Sequence, residues 1–219
     1  MKRIEKGKEP EELVFFKKQV NADFESLPTQ LKDELRRKLL EEQGHICCYC
    51  MGRITFENSK IEHFKPQSKY PKEALNYKNL FLACKGGEGE DEQHCDSSKK
   101  DQELEAVDLL RKDFPIEKRV KYRERKKEMA VLITSDEPQL QNEIDSILNL
   151  NCEKLKRNRY QKWNEVKERI KKQGFKVQVL KKTIRFYQSR QKDRKYAPFC
   201  QMIIFFLERK LGKKGIKML

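Results

Sequence analysis

Four cysteines at restrictive spacing limit what the middle of this chain can become. Cys47-x-x-Cys50 sets two thiolates three positions apart, a separation at which one tight turn brings both to a single tetrahedral ion. Cys84 and Cys95 supply a second pair. The expected cofactor is one structural zinc held by Cys47, Cys50, Cys84 and Cys95, with Cys48 an alternative to Cys47. The ten residues between Cys84 and Cys95 are many for a knuckle, so the acidic, glycine-rich run from Lys85 to Glu92 must bulge outward as an exposed excursion. A redox pair is a poorer reading, because no strand–helix–strand unit leads into Cys47. Cys152 and Cys200 lie in helical patterns and are expected in the core. Seven cysteines is an odd number, and clustered thiols in a reducing compartment favour metal over disulfides.

Between the two halves of this staple sits Glu62-His63. Thiolates suit zinc, whereas carboxylates suit a hard catalytic cation such as Mg2+ or Mn2+, so the segment has donors for two kinds of site. A neutral imidazole takes a proton from water near neutral pH, which makes His63 a candidate general base. If the segment is extended, Glu62 and His63 point to opposite faces of the strand. Asp96, set by the zinc knot at the opening of a short helix, is the expected second carboxylate ligand. Asn79 is expected to brace the loop beneath His63 through backbone hydrogen bonds. His94, beside Cys95, is read as a surface residue, with phosphate contact or metal binding as alternatives. His45 is given no role.

Hydrophobic periodicity fills in the rest. Residues 1 to about 25 form a polar arm anchored by Phe15, Phe16, Val20 and Phe24. Leu31, Leu35, Leu39 and Leu40 predict a helix after Pro28 that stops at Gly44. Ile46–Met51 and Arg53–Phe56 are short runs able to pair about Gly52, residues 65–79 read as loop, and Leu80–Cys84 as a buried approach to the second cysteine pair. Met129–Ile133 suggests a single strand, and Leu140, Ile144, Ile147 and Leu148 mark an amphipathic helix. Helices follow over 152–173, 177–193 and 198–211. The expected class is α+β and mostly α: an N-terminal arm and helix (1–44), a zinc-stapled core (45–112) and a basic helical region (113–219).

Charge points to the partner. The chain carries 50 Lys/Arg against 35 Asp/Glu, a net +15 that favours polyanions. Between 153 and 195 there are 17 basic and 4 acidic residues, with Tyr160, Trp163, Phe186 and Tyr187 interleaved. Trp163 and Phe186 are expected to pack helix on helix, while the basic faces contact phosphates with an affinity that falls with salt. Lys65, Lys99, Arg157 and Arg159 are the candidate nucleic-acid contacts, Lys99 being equally readable as a solvated helix residue. The apolar run Phe199–Leu207 is expected to be buried, ending in a solvated tail crowded by Arg209, Lys210, Lys213, Lys214 and Lys217. No apolar stretch reaches the ~20 residues of a membrane span, and the N-terminus has no signal-peptide core, so a cytoplasmic protein is expected.

Together the Cys-Cys-Tyr-Cys turn, Ile61-Glu62-His63-Phe64-Lys65-Pro66, Asn79-Leu80 and His94-Cys95-Asp96-x-x-Lys99 resemble an HNH (ββα-metal, His-Me finger) endonuclease. With Leu148-Asn149-Leu150-Asn151 and Arg157 downstream, they resemble the nucleases of retron and Septu antiphage systems, the PtuB-type proteins. The resemblance implies His63 as base, Asn79 as the central Asn and Asp96 as the last metal-binding position. Many members have Asp where Glu62 stands, and His or Asn where Asp96 stands. It further implies DNA or RNA as substrate, an ATPase subunit (PtuA-like) and, in some systems, a retron reverse transcriptase with its RNA–DNA product. A tRNA-cutting effector of the same fold and a non-catalytic, zinc-stapled nucleic-acid adaptor are the competing readings.

Overall fold

The computed structural model describes residues 1–213 and 215; Lys214 and Lys217 of the expected basic tail lie outside the described residues. The chain opens with an arm containing helix α1 (Glu11–Phe16), followed by α2 (Thr29–Glu42), whose Leu31, Leu35, Leu39 and Leu40 are buried. Their spacing puts all four on one face, and Gly44, at φ 60°, ends the helix as expected. The arm is anchored differently from the sequence expectation. Met1, Ile4, Leu13 and Phe16 are buried, whereas Phe15 and Val20 are 66% and 90% exposed. The reason is helical phase: Leu13 and Phe16 are three apart on the inner face of α1, which turns Phe15 outward.

After α2 the chain makes the cysteine turn, where a lone antiparallel bridge, Ile46 to Arg53, replaces the expected hairpin. The turn between them is wound around the sulfurs instead, with Met51 N–H bonded to the Cys47 carbonyl and Cys47 N–H to that of Gly52. Strand β1 (Ser59–His63) then pairs antiparallel with β2 (Leu80–Cys84), in a register that sets His63 opposite Leu80 and Ser59 opposite Cys84. Between them, residues 65–79 contain two short 3-10 turns, Pro71–Glu73 and Tyr77–Asn79. The short helix α3 (Asp96–Lys99) follows Cys95, so a two-stranded ribbon and one helix form the centre.

The C-terminal part comprises α4 (Ile116–Arg119), a second antiparallel pair β3 (Lys121–Arg125) and β4 (Ala130–Thr134), α5 (Pro138–Asn142) running into a π turn (Glu143–Ile147), and helices α6 (Glu153–Lys171), α7 (Val177–Gln188) and α8 (Cys200–Gly212). The strand expected near 129–133 therefore has a partner that periodicity did not reveal, since β3 carries a single buried apolar residue, Tyr122. Helix α6 packs on β4, and α8 on β3 and α7. Trp163 stacks on Phe206 at 4.6 Å, as its core assignment required. Phe186 does not join it and is 45% exposed, because the inner face of α7 is already taken by Leu180, Ile184 and Tyr187. Cys152 and Cys200 are buried. Buried residues from Met1 to Leu211 form one continuous cluster. No helix among the described residues is long and apolar enough to cross a membrane.

Two polar residues hold these parts together: Glu143, which sequence reasoning missed, and Asn151 of the Leu-Asn-Leu-Asn string. Glu143, 2% exposed, accepts the backbone N–H groups of Glu105, Ala106 and Val107 at 2.7–2.8 Å. Asn151 accepts from Ile133 N–H and donates to its carbonyl. The Leu-Asn-Leu-Asn string also reaches the cysteine loop: Cys95 N–H bonds the Leu148 carbonyl at 2.8 Å, and Asn149 donates to the Gln93 carbonyl.

Candidate active site and metal centre

The four Sγ atoms of Cys47, Cys50, Cys84 and Cys95 lie within 4.8 Å of one another. Cys47 to Cys95 and Cys50 to Cys84 are each 3.9 Å. A tetrahedron with zinc–sulfur bonds of about 2.3 Å has edges of about 3.8 Å, so this donor set fits one zinc ion. Cys48 lies outside the cluster. Sulfur-to-sulfur hydrogen bonds outweigh burial and hold Cys47 well below the ordinary thiol range. Cys84, raised by Cys47 but lowered by Cys50 and Cys95, is brought down to about 7. Two of the four ligands are thus close to the thiolate form that metal binding needs. The backbone contributes as well: Gly52 N–H points at Cys50 Sγ and Cys84 N–H at Cys47 Sγ, both at 3.4 Å.

The loop from Cys84 to Cys95 turns back at Gly86, where φ is +60° and a Cβ would sit 2.0 Å from the His94 carbonyl oxygen. Only glycine fits there. The close approach draws His94 inward, to 5% exposure, with Nδ1 3.2 Å from Cys95 Sγ and 3.9 Å from Cys84 Sγ. His94 is therefore not the surface residue expected from sequence. It lies against the sulfurs, able to donate to a thiolate when Nδ1 is protonated.

The residues expected to do chemistry meet in a neighbouring cleft lined by Lys60, Glu62, His63, Gln67, Asp96 and Lys99, among others. Glu62 and His63 alternate along β1 yet both reach this cleft, because β1 ends at His63 and the following loop folds over it. Glu62 is 2% exposed, and both of its donors bind Oε1: Tyr49 Oη at 2.7 Å and Lys99 Nζ at 2.9 Å. Burial, then the adjoining Asp96, push the Glu62 carboxyl well above the usual carboxylate range. Burial alone would raise Asp96 too, but its hydrogen bond with Glu62 and the Lys60 ammonium at 2.7 Å hold it below its ordinary value. The two adjoining acids thus shift in opposite directions, the mark of carboxyls that compete for one site, and a divalent cation between them would favour the charged form of both.

His63 has both ring nitrogens engaged. Nε2 lies 3.0 Å from the Ala74 carbonyl oxygen, which fixes the proton on that nitrogen, and Nδ1 lies 3.1 Å from the Gln67 amide. The ring is held edge-on by Phe24 at 4.4 Å. Burial chiefly, with the Lys99 charge adding to it, lowers the His63 pKa and keeps the imidazole neutral near pH 7. Asn79 lies under this loop, accepting from Lys65 N–H at 2.7 Å and donating to the Lys65 and Glu73 carbonyls.

Of the candidate phosphate contacts, Lys65 is exposed. Arg157 is exposed too, and pairs with Glu153 at 3.5 Å. Lys99 and Arg159 are corrections. Lys99 is 1% exposed, bound to Glu62 and donating to the His63 carbonyl at 3.1 Å, so it is neither solvated nor free to meet a phosphate. Arg159 is fully buried, bonding the Val131 carbonyl and Asn151 Oδ1, because it sits on the inner face of α6. Sequence reasoning also missed Tyr49, whose signal was its place inside the cysteine turn. Replacing Tyr49 with Phe removes a buried hydrogen bond to an acid, and stability to urea is expected to fall by about 1–3 kcal/mol. An unchanged unfolding midpoint would mean that the bond contributes nothing.

No family model matches the chain. Over 70 residues, 31% of its length, it is 36% identical to "Septu protein PtuB" of Bacillus thuringiensis. The matched stretch spans 27% of that protein, so the likeness is to a segment of it.

Proposed function

We propose that this chain is a metal-dependent HNH-type endonuclease that hydrolyses phosphodiester bonds in nucleic acid, acting as the effector of a Septu- or retron-type antiphage system with an ATPase subunit. The observation that carries the nuclease reading is the meeting of three groups in one cleft: a neutral His63 with its proton fixed on Nε2, and the adjoining acids Glu62 and Asp96. The partial likeness to a Septu protein supports the defence role.

In this reading Nδ1 of His63 takes the proton of the attacking water, from the position that the Gln67 amide now fills. The Ala74 carbonyl accepts from Nε2–H and so stabilises the imidazolium that forms. Glu62 and Asp96 would hold a divalent cation; Tyr49 and Lys99 occupy Glu62 Oε1, and neither contacts its other oxygen. Bound there, Mg2+ or Mn2+ supplies Lewis-acid stabilisation of the scissile phosphate and the departing 3′ oxygen. Asn79 keeps the His63 loop in register.

One observation favours the adaptor reading instead. Each acid is already neutralised by a lysine, Lys60 on Asp96 and Lys99 on Glu62. A cleavage panel decides between them. Labelled single-stranded and duplex DNA, single-stranded RNA and tRNA are incubated with the purified chain, alone and with an ATPase partner, with and without added Mg2+ or Mn2+. At least one substrate is expected to be cut only with the cation, and Asp96→Ala is expected to cut it on the order of a hundredfold more slowly. Cutting of RNA alone selects the RNA-cleaving form. No cutting in any mixture leaves the adaptor, and an Asp96→Ala protein as active as the parent removes Asp96 from the site.

A further inference from the structure

We propose that the exposed face of α7 is a docking surface for single-stranded nucleic acid, with Phe186 stacking on an unpaired base and Lys182 and Arg185 meeting the flanking phosphates. The inference deepens the nuclease reading by naming where a substrate strand is held, but it concerns binding and stands or falls on binding alone.

The first observation is the distribution of charge. Asp and Glu make up 35 of the 219 residues, yet none occurs from Arg169 to Lys192, where nine Lys/Arg are found. The cations of α6 are largely neutralised locally. Lys154 pairs with Glu90, Lys162 with Glu165 and Lys167 with Glu124, while Arg159 is buried. Most of those in the acid-free stretch are not: Lys171 reaches Glu168 at 3.7 Å, but among the described residues no carboxylate lies within ion-pair reach of Lys172, Lys176, Lys181, Lys182, Arg185 or Lys192. The unneutralised positive field therefore sits on α7 and its flanks. This is the part of the basic region that can exchange its counterions for a phosphate chain.

The second observation is aromatic. The inner face of α7 is closed by Leu180, Ile184 and Tyr187. On the outer face Lys182, Arg185, Phe186 and Ser189 are exposed, three and four residues apart and hence on one stripe. Phe186 leaves 45% of its surface in water, backed edge-on by Tyr187 at 5.2 Å. A supported ring beside two unpaired cations is a platform for a nucleobase: stacking needs a bare base face, which a single strand offers and a duplex hides. An acidic protein would use the cations but leave the ring without a purpose.

The test measures anisotropy of a labelled strand of about 20 nucleotides against the full-length chain, without added Mg2+ or Mn2+ so that no cutting occurs. The expected result is that Phe186→Ala weakens single-strand binding by about tenfold with the salt dependence unchanged. Lys182→Gln with Arg185→Gln is expected to reduce the slope of log affinity against log salt by about 1–2. Lys126→Gln with Lys127→Gln, an equal charge loss on the exposed β3–β4 turn, is expected to leave affinity within about twofold. The substituted residues are exposed, so the variants should match the parent in thermal melting. The proposal is overturned if Phe186→Ala binds as the parent does, if a duplex of the same sequence binds as tightly as the strand, or if polyglutamate of equal charge competes equally well. The last result would assign the face to an acidic protein. None of these outcomes depends on whether the chain cuts, so failure here leaves the cleavage panel to judge the nuclease separately.

Discussion

Serine in place of Cys95 is expected to abolish zinc binding and unfold the centre of the molecule. Zinc bound to short finger peptides contributes about 10–16 kcal/mol of folding free energy, against a total stability of about 5–15 kcal/mol for a typical domain. Removing one thiolate of four therefore takes away a large part of what holds the fold. Cys95 is the most damaging choice because its backbone is also committed: φ is 57°, its N–H is bound to Leu148, and its carbonyl receives Lys99 N–H at the start of α3. Loss of the ligand would release Asp96 and Lys99 together. The parent should carry about one zinc per chain that resists mild chelation, and the variant close to none, with amide exchange accelerated from the cysteine turn through α3. A Cys95→Ser protein that keeps its metal and its melting temperature, or a parent that never contains zinc, would contradict the assignment of the four sulfurs.

Replacing His63 with Ala is expected to lower the cleavage rate by about 10²–10⁴, the usual contribution of a positioned general base. Binding should change little, since His63 is 8% exposed and its ring is committed to Ala74, Gln67 and Phe24. The parent should also show an acid limb in its pH–rate profile. Because burial lowers the His63 pKa, the limb should fall below the ordinary value of about 6.5, with the rate rising with pH through it and levelling off above. A protonated ring has no lone pair at Nδ1, which sets the sign. An alanine variant that retains both the rate and the acid limb would remove His63 from the chemistry.

What could be read in the sequence was what depends on local spacing. Cys47-x-x-Cys50 constrains a turn whatever surrounds it, and Leu31, Leu35, Leu39 and Leu40 declare their face in any context. Leu80–Cys84 reads as a buried approach to the second cysteine pair, and β2 spans that run with its first four residues buried. What stayed hidden depends on partners far along the chain. Arg159 looks like any lysine or arginine of a basic helix until Val131 and Asn151 are placed beneath it. Lys99 became a buried partner of Glu62 only once α3 was laid across β1, and Glu143 acquired a purpose only from three backbone amides some 36–38 residues earlier. Phe186 shows the opposite error: an aromatic in an amphipathic helix was assigned inward by type, when the phase of α7 turns it out.

Tyr49 belongs to the turn that grips the sulfurs, yet its hydroxyl holds the acid of the neighbouring cleft. A single loop thus carries both the scaffold's anchor and the geometry of the carboxylate proposed to hold the cation, so neither can drift through mutation without disturbing the other. For protein engineering, the smallest portable piece is then not the ribbon with its helix but the whole stretch from the cysteine turn to α3. A chimera that transplanted the acid and imidazole without that turn would inherit the groups and lose their aim.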